Sequence, residues 1–578
     1  MSWRAAPRAG GRDARAPGRT TASLAARLWP VLQVGIPLAF FTLFFVYPVA
    51  SIVGLGLAPG GRIDLSVVGR VLTDPGLLGV VWFTLWQAAI STALTLLVGL
   101  PGAYLFARFE FPGKRLLRAT VTVPFVLPTV VVGAAFLALL GPRSPVNVLV
   151  MTWFGIDQPI LRLQHTLWAI LLAHVFFNYA VVVRLVGGLW AHLDPRVEEA
   201  ARVLGANRWQ AVRQVTLPLL RPAIASAAAI VFLFTFTSFG VILILGGPAF
   251  ATLEVEIYRQ TAQLLDLPVA AMLTLIQLGA VAGMLFAYGR LQERRTYGLR
   301  LRPVAEVARR PRDPAERAFV VANLVLIVVL LWLPLMVLVE RSLAGPEGYG
   351  LRSYQALFGE PRGGTLYVTP VDAIRNSLLF GAMATAIALS IGLVASSVVA
   401  YRRDRVGRAF DALLMLPLGT SAVTIGFGFL VALDEPPLDL RTSLLLIPLA
   451  HALVAVPFVV RSVSPVMRAI DRRLREAASV LGASPARAWR EIDLPIVSRA
   501  ALVGAGFAFA VSLGEFGATA FIVRPDTPTL PVAIYRLLGQ PGALNFGMAM
   551  AMSVILLVVT AAAILFIERV RVGDLGEF

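Results

Sequence analysis

Residues Glu198–Pro218 read EEAARVLGANRWQAVRQVTLP, and residues Arg475–Pro495 read REAASVLGASPARAWREIDLP. Glu-Ala-Ala, a glycine and Leu-Pro recur at one spacing, so the two stretches superpose at an offset of 277 positions. The same offset pairs Ala173-His174 with Ala450-His451, Arg184 with Arg461, and Phe239-Gly240 with Phe516-Gly517. It also pairs Thr252 with Thr529 and Ile257-Tyr258-Arg259 with Ile534-Tyr535-Arg536. One register held over that distance marks an internal duplication. Nearer the start of each copy the offset is 293, pairing Val98-Gly99-Leu100 with Ile391-Gly392-Leu393 and Pro124 with Pro417. The first copy therefore carries 16 extra residues between its third and fourth apolar segments, around 141–164. Loops are where repeats diverge without disturbing a core.

What each copy is made of identifies its solvent. Of 578 residues 58% are hydrophobic and 15% charged, too little polar surface to cover a water-soluble core of this size. The runs Val31–Val53, Phe319–Val339, Ser377–Ala400 and Met548–Ile567 reach the roughly 20 residues that cross a bilayer as a helix. Six apolar segments per copy follow: 31–54, 79–106, 119–140, 165–186, 222–246 and 268–289, then 319–340, 375–400, 409–432, 443–460, 499–523 and 545–567. The expected fold is all-α and integral to the membrane, with about 12 transmembrane helices in two parallel six-helix repeats. A basic tail covers 1–30, the first unit 31–289, an arginine- and proline-rich linker 290–318 and the second unit 319–570.

The net charge of +18 sits between the apolar runs, mostly on alternate connections, which points to membrane orientation and not to nucleic acid. Connections with Arg108, Lys114, Arg115 and Arg118, with Arg196 through Arg221, and with Arg290 through Arg317 face inward on this reading. So do those with Arg402, Arg403, Arg405 and Arg408, and with Arg468 through Arg490. The outer connections hold Asp64, Asp74, Glu254, Glu256, Asp434 and Glu435, and both termini are expected in the cytoplasm. The first 28 residues read as a disordered tail. A cleavable signal peptide has the same general form, but the apolar run that follows is longer than a signal core and a similar run opens the second copy. With no cysteine, the chain forms no disulfide, thiolate metal site or cysteine nucleophile.

The duplicated loops begin with helix formers and break at Gly205 and Gly482, where a positive φ permits a sharp turn. They then resume as helix, which Pro218 and Pro495 are expected to stop near the entrance to the next span. The alanine pairs leave a small face for close packing of another protein, and the glutamates offer an anchoring charge. The plainer reading is a pair of amphipathic helices lying on the membrane domain itself.

Both loops resemble the signature loop of binding-protein-dependent ABC transporter permeases, with Val215 and Ile492 at its aliphatic position. The resemblance implies the type I importer permease fold and assigns ATPase coupling to Glu199, Ala200, Ala201, Gly205, Leu217 and Pro218, and to Glu476, Ala477, Ala478, Gly482, Leu494 and Pro495. The only lysine, Lys114 in Pro112-Gly113-Lys114-Arg115, does not complete a phosphate-binding loop. ATP and magnesium are therefore expected on a separate cytoplasmic ATPase, in two copies, with no cofactor on this chain. An extracytoplasmic solute-binding protein and the bacterial inner membrane complete the expected setting.

The wider resemblance, over 30–570, is to fused two-unit permeases, and thiamine permeases are the nearest in kind. It is carried by Leu171-Leu172-Ala173-His174-Val175-Phe176-Phe177-Asn178, Leu245-Gly246-Gly247-Pro248, Thr252-Leu253-Glu254 and Ala271-Met272-Leu273-Thr274-Leu275-Ile276-Gln277. Ferric-iron permeases share the architecture and are the alternative. Ser512-Leu513-Gly514-Glu515-Phe516-Gly517 is similar instead to molybdate and sulfate permeases, where thiamine permeases typically carry aspartate. Glu515, Asn178 and Ser238 are the candidates for the translocation path; a structural role for Glu515, accepting backbone hydrogen bonds at a helix break, is the other reading. His174 and His451, equivalent in the two copies, read as packing or hydrogen-bonding residues, and Tyr258 and Tyr535 as interfacial anchors. An ion-driven secondary transporter also commonly has twelve spans but has no use for paired Glu-Ala-Ala loops. A membrane enzyme finds no support, since the four histidines and scattered acids show no catalytic or metal spacing.

Overall fold

In lipid every backbone N–H and C=O must bond within its own segment, so apolar runs of this length become helices. The computed structural model describes residues 24–64, 66–293, 307–345, 348–359, 367–402, 404–434 and 438–570. Most of the basic tail, the middle of the linker and Glu435 lie outside them. Among the described residues eleven helical runs are long and apolar enough to cross a membrane, one of them the joined stretch Thr129–Phe154, and a bent pair makes a twelfth.

The first unit runs α1 (Val31–Leu57), α2 (Pro75–Arg108), α3 (Lys114–Val126), α4 (Thr129–Leu140), α5 (Pro145–Phe154) and α6 (Leu167–His192). It continues through α7 (Pro195–Val203), α8 (Trp209–Phe236), α9 (Gly240–Leu245), α10 (Leu253–Ala262) and α11 (Leu267–Glu293). The second unit repeats the order: α12 (Pro314–Leu343), α13 (Pro370–Tyr401), α14 (Arg405–Gly419), α15 (Ala422–Ala432) and α16 (Leu446–Ala469). Then come α17 (Arg472–Val480), α18 (Ala486–Gly514), α19 (Thr519–Ile522), α20 (Leu530–Leu538) and α21 (Ala543–Val570). The additional segment of the first copy is α5 and its return, pinned by Asn147, whose Nδ2 donates to Leu161 O at 2.8 Å while its Oδ1 accepts from Leu161 N at 2.8 Å.

Two expected spans per unit are interrupted. The segment 119–140 breaks at Leu127-Pro128 between α3 and α4, and 409–432 bends by 98° between α14 and α15. The segments 222–246 and 499–523 break after Phe236 and after Gly514. A mean hydropathy over a window is blind to such turns, because the one or two polar residues at a break, such as Ser238 or Glu515, are averaged away among apolar neighbours.

Pro218 and Pro495 do not stop the preceding helix, contrary to the expectation from sequence; α8 and α18 run straight through them. Each proline follows a π-helical turn, Val212–Thr216 or Trp489–Asp493, closed by Leu217 N donating to Val212 O and Leu494 N to Trp489 O. Pro48 and Pro334 stand in the same place after the π turns Thr42–Val46 and Val328–Trp332. A proline lacks the N–H for the carbonyl four residues back and its ring crowds it; the wider turn moves that carbonyl aside, so the helix continues.

Within each unit the second and fourth spans cross at a glycine. A Cβ on Gly99 would lie 2.8 Å from Val182 Cβ, and one on Gly392 would lie 2.8 Å from Val459 Cβ. Small residues at a crossing let helix backbones approach, which is how helices associate where lipid supplies no hydrophobic drive. The first spans bridge the units, each packing on the last span of its own unit and on the other unit as well. Residues Tyr47–Leu57 of α1 pack on α15, with Pro48 and Ile52 against Gly428, and Leu333–Leu343 of α12 packs on α4. Each half therefore clasps the other, and the paired breaks meet between them.

Candidate functional site

Between the fourth and fifth spans of each unit, α7 and α17 are short helices with matched ends. Asp194 and Asp471 cap the N-termini, accepting from Arg196 N at 3.0 Å and Arg473 N at 2.9 Å. At the other end Gly205 and Gly482 adopt φ of +97° and +83°. Ala206 N then donates to Ala201 O and Gly205 N to Arg202 O, with Ala483 and Gly482 repeating the pair on Ala478 O and Ser479 O. This double closure is the Schellman motif, and it needs a residue that tolerates positive φ. The turn places Val203 and Leu204 at 87% and 89% exposure, and Val480 and Leu481 at 86% and 87%. Glu199, Ala200, Glu476 and Ala477 are exposed beside them, and Glu476 pairs with Arg472 at 3.2 Å. Ala201, Ala478, Leu217 and Pro218 are half-buried, while Leu494 and Pro495 are exposed. Sequence reasoning passed over the Val-Leu pairs. Their signal was their identical place in both copies, directly before the glycine.

The second constellation lies where the interrupted helices converge. Gly240 packs on Thr129 and Gly517 on Ala422, equivalent contacts in the two units, and Gly514 lies against Pro128. A Cβ on Gly426 would sit 2.6 Å from the Ala518 backbone. Across this seam Phe239 and Phe516 stack with centroids 5.4 Å apart and planes at 22°. Tyr258 meets Phe239 at 5.6 Å and Phe521 at 5.4 Å, and Tyr535 meets Phe516 at 5.5 Å. The two tyrosines thus serve an aromatic cluster between the halves and not the lipid interface.

The histidines hold the breaks. His174 shares hydrogen bonds between Nδ1 and Ser91 Oγ (2.9 Å) and between Nε2 and Ser238 Oγ (3.0 Å). His451 does the same with Ser512 Oγ (2.7 Å) and Thr519 Oγ1 (2.8 Å), and its Nε2 lies 3.3 Å from Glu515 Oε2. Ser238 and Glu515 occupy equivalent positions, so each unit straps its broken fifth span to the fourth through a histidine. Glu515, with a side chain 4% exposed, accepts from Ala518 N at 2.9 Å, Thr519 N at 3.0 Å and Thr519 Oγ1 at 2.6 Å. With the Thr519 hydroxyl proton given to Glu515, His451 Nε2–H donates to Thr519. Asn178 is buried and donates from Nδ2 to His174 O at 3.0 Å, one turn along the same helix.

Glu254 and Glu256, expected in an outer connection, are instead fully buried in α10. Glu254 accepts from Gln277 Nε2, and from Ser421 Oγ of the other unit at 2.7 Å; Glu256 accepts from Gln260 Nε2 at 2.6 Å. α10 folds back between the halves and is enclosed on every side at its start, where the consecutive residues Leu253, Glu254, Val255, Glu256 and Ile257 are all buried. Sequence alone could not distinguish this from a loop.

Comparison with known proteins agrees with this architecture. A family model described as binding-protein-dependent transport system inner membrane component matches twice, at residues 96–297 and 356–572. The chain is 28% identical to the thiamine transport system permease protein ThiP of Brucella abortus, over 96% of this chain and 97% of that one. It is 25% identical to the probable ABC transporter permease protein y4fN of Sinorhizobium fredii, over 86% and 88%. A solved bacterial ABC transporter that imports the acidic polysaccharide alginate aligns with 47% of this chain and 98% of its own, at 20% identity and a TM-score of 0.40. The duplicated family match covers more than half of the chain, and the chain belongs to the inner-membrane permeases of binding-protein-dependent ABC importers, with two permease units fused in one polypeptide.

Proposed function

We propose that this permease imports thiamine or its phosphates, delivered by an extracytoplasmic binding protein, and is driven by two copies of a separate ATPase docked on α7 and α17. Both termini then face the cytoplasm, and units 31–289 and 319–570 rock about the seam between them. The observation that carries the coupling assignment is the pair of exposed Val-Leu knobs beside Glu199 and Glu476. Four large apolar side chains left in water, at matched positions on matched helices, are the mark of a protein-docking surface. The nucleotide and its magnesium belong to that partner.

For the cargo, support comes from the near full-length similarity to a protein named a thiamine permease, and from the aromatic seam. The stacked Phe239 and Phe516, with Tyr258, Phe521 and Tyr535, form an aromatic cluster where the units meet, and opened along that seam its ring faces suit a flat, cationic heterocycle. Glu515 is read as the cap of the fifth-span break, with its oxygens committed to Ala518 and Thr519. Ser238 and Asn178 then act on the path through His174.

The test has two arms. Replacing Glu199, Gly205, Glu476 and Gly482 together should abolish ATPase association in a pull-down while the protein still inserts in membranes. Retained association refutes the coupling assignment. Vesicles holding permease and ATPase, supplied with the cognate binding protein, should accumulate thiamine or its phosphates and not ferric iron. Iron uptake would make this a ferric-iron permease, and accumulation without any ATPase would make it a secondary transporter.

A further inference from the structure

Each docking helix is fastened at its root by three residues that occupy equivalent positions in the two units but exchange their charges. In the second unit Arg475, the residue before Glu-Ala-Ala, donates from Nε to Asp493 Oδ2 at 2.9 Å and from Nη2 to Asp493 Oδ1 at 2.6 Å. Its Nη2 also reaches Tyr401 Oη at 2.5 Å, and the guanidinium lies 5.1 Å over the Tyr401 ring. Tyr401 ends α13, and Asp493 closes the π turn that leads into α18. The corresponding residues of the first unit are Glu198, Thr216 and Arg108, by the same offsets of 277 and 293. There Thr216 Oγ1 donates to Glu198 Oε2 at 3.3 Å, and Arg108 Nη2 lies 4.0 Å from the same oxygen. Arg108 also donates to Leu193 O at 3.3 Å, just before the loop.

So the base sits on the docking helix in one unit and on the second span in the other, and the acid moves correspondingly. Three positions are kept as a mutually bonded corner while their chemistry is permuted. Ordinary drift of surface charges does not preserve a contact in that way. The two corners also differ in stiffness. Asp493 has a side chain 5% exposed and binds the guanidinium at two points, a geometry that fixes orientation as well as distance. These hydrogen bonds hold the Arg475 guanidinium pKa above its ordinary value. The first-unit pair is longer and made at one oxygen, with Glu198 26% exposed.

We propose that these corners are the positioning elements that transmit displacement of each docking helix to the second and fifth spans of its own unit, and that the second-unit corner transmits the larger share. The proposal rests on the coupling assignment above. Without the corner, a nine-residue helix between a loop and a glycine turn moves by bending its connections. With it, the helix, the end of α13 and the start of α18 move as one body.

The experiment uses the full permease with its ATPase and loaded binding protein in nanodiscs. It reads ATPase association, basal hydrolysis, and the stimulation of hydrolysis by the binding protein. Arg475→Ala should leave association in place, because the Val480-Leu481 knob is untouched, and should cut stimulation by roughly tenfold. Glu198→Ala should cut it by roughly two- to threefold. The combined variant Tyr401→Arg, Arg475→Glu, Asp493→Thr installs the first-unit set in the second unit and should raise stimulation roughly two- to threefold above that of Arg475→Ala. Full stimulation in Arg475→Ala overturns the proposal, and so does a combined variant that is folded, ATPase-bound and as uncoupled as Arg475→Ala. A larger loss in Glu198→Ala than in Arg475→Ala overturns the assigned asymmetry. Val203→Asp, Leu204→Asp, Val480→Asp and Leu481→Asp together test the underlying reading separately: if the ATPase still binds that variant, the docking assignment fails whatever the corners do.

Discussion

Replacing Glu515 separates a structural carboxylate from a cargo-binding one. In Glu515→Ala the Ala518 and Thr519 amides lose their acceptor in a site closed to water, and the Thr519 hydroxyl loses its carboxylate partner while keeping the carbonyl of residue 515. A buried donor left unsatisfied costs about 1–3 kcal/mol, so the two amides alone predict a loss of about 2–6 kcal/mol. Glu515→Gln keeps one oxygen and turns an amide toward a donor, and should cost about 1–3 kcal/mol. Glu515→Asp retains both oxygens on a shorter arm in a helix-capping position and should be mildest. The assay is thermal unfolding in nanodiscs, paired with the KM for uptake in the reconstituted importer. The expected order of stability is Glu, Asp, Gln, Ala, with uptake KM in Glu515→Gln close to that of the native protein. If Glu515→Ala melts where the native protein melts, the capping argument is wrong. If Glu515→Gln keeps its melting temperature but loses affinity for a cationic cargo, the carboxylate is a cargo contact.

Gly482→Ala forces a residue with a Cβ to φ near +83°, at about 1–2 kcal/mol, and should weaken ATPase association measured by pull-down titration; unchanged binding would mean that the helix end plays no part in docking. Phe239→Ala with Phe516→Ala removes the stacked pair across the seam and should let small polar solutes leak from dye-loaded vesicles, whereas either single variant, with one ring remaining, should leak less. Gly426→Val places a side chain where the Ala518 backbone stands 2.6 Å away, and should reduce folded yield in size-exclusion chromatography far more than Gly69→Val, where nothing lies within 4 Å.

Much of the site was legible before any coordinates, for identifiable reasons. Gly205 and Gly482 could be assigned positive φ because a glycine following helix formers at the same place in two copies has few other uses. The equivalence of His174 and His451 argued for hydrogen bonding, and each bonds the break of its own fifth span. Glu515 offered a hint of one break, but its counterpart at Thr237-Ser238-Phe239 was hidden, since both lie inside runs apolar enough to read as continuous helix. So were Glu254 and Glu256: acids between two spans look like loop residues until the chain is seen to fold back and seat them against Gln277, Ser421 and Gln260. The fate of Pro218 and Pro495 turned on a local π turn that no propensity scale encodes.

The amino-acid sequence by itself determined that this chain lives in lipid, that it is one unit written twice in the same orientation, and that each copy presents a Glu-Ala-Ala helix ending at a glycine. Those properties follow from composition, spacing and backbone chemistry, which are local or periodic. Only the tertiary structure decided that the first spans bridge the units, that Phe239 meets Phe516, and that Arg475 answers to Glu198 with the charges permuted. These depend on which helix faces come together across hundreds of residues. A uniformly apolar helix offers lipid and protein nearly the same surface, so the choice of partner rests on a few glycines, prolines and buried polar side chains acting together.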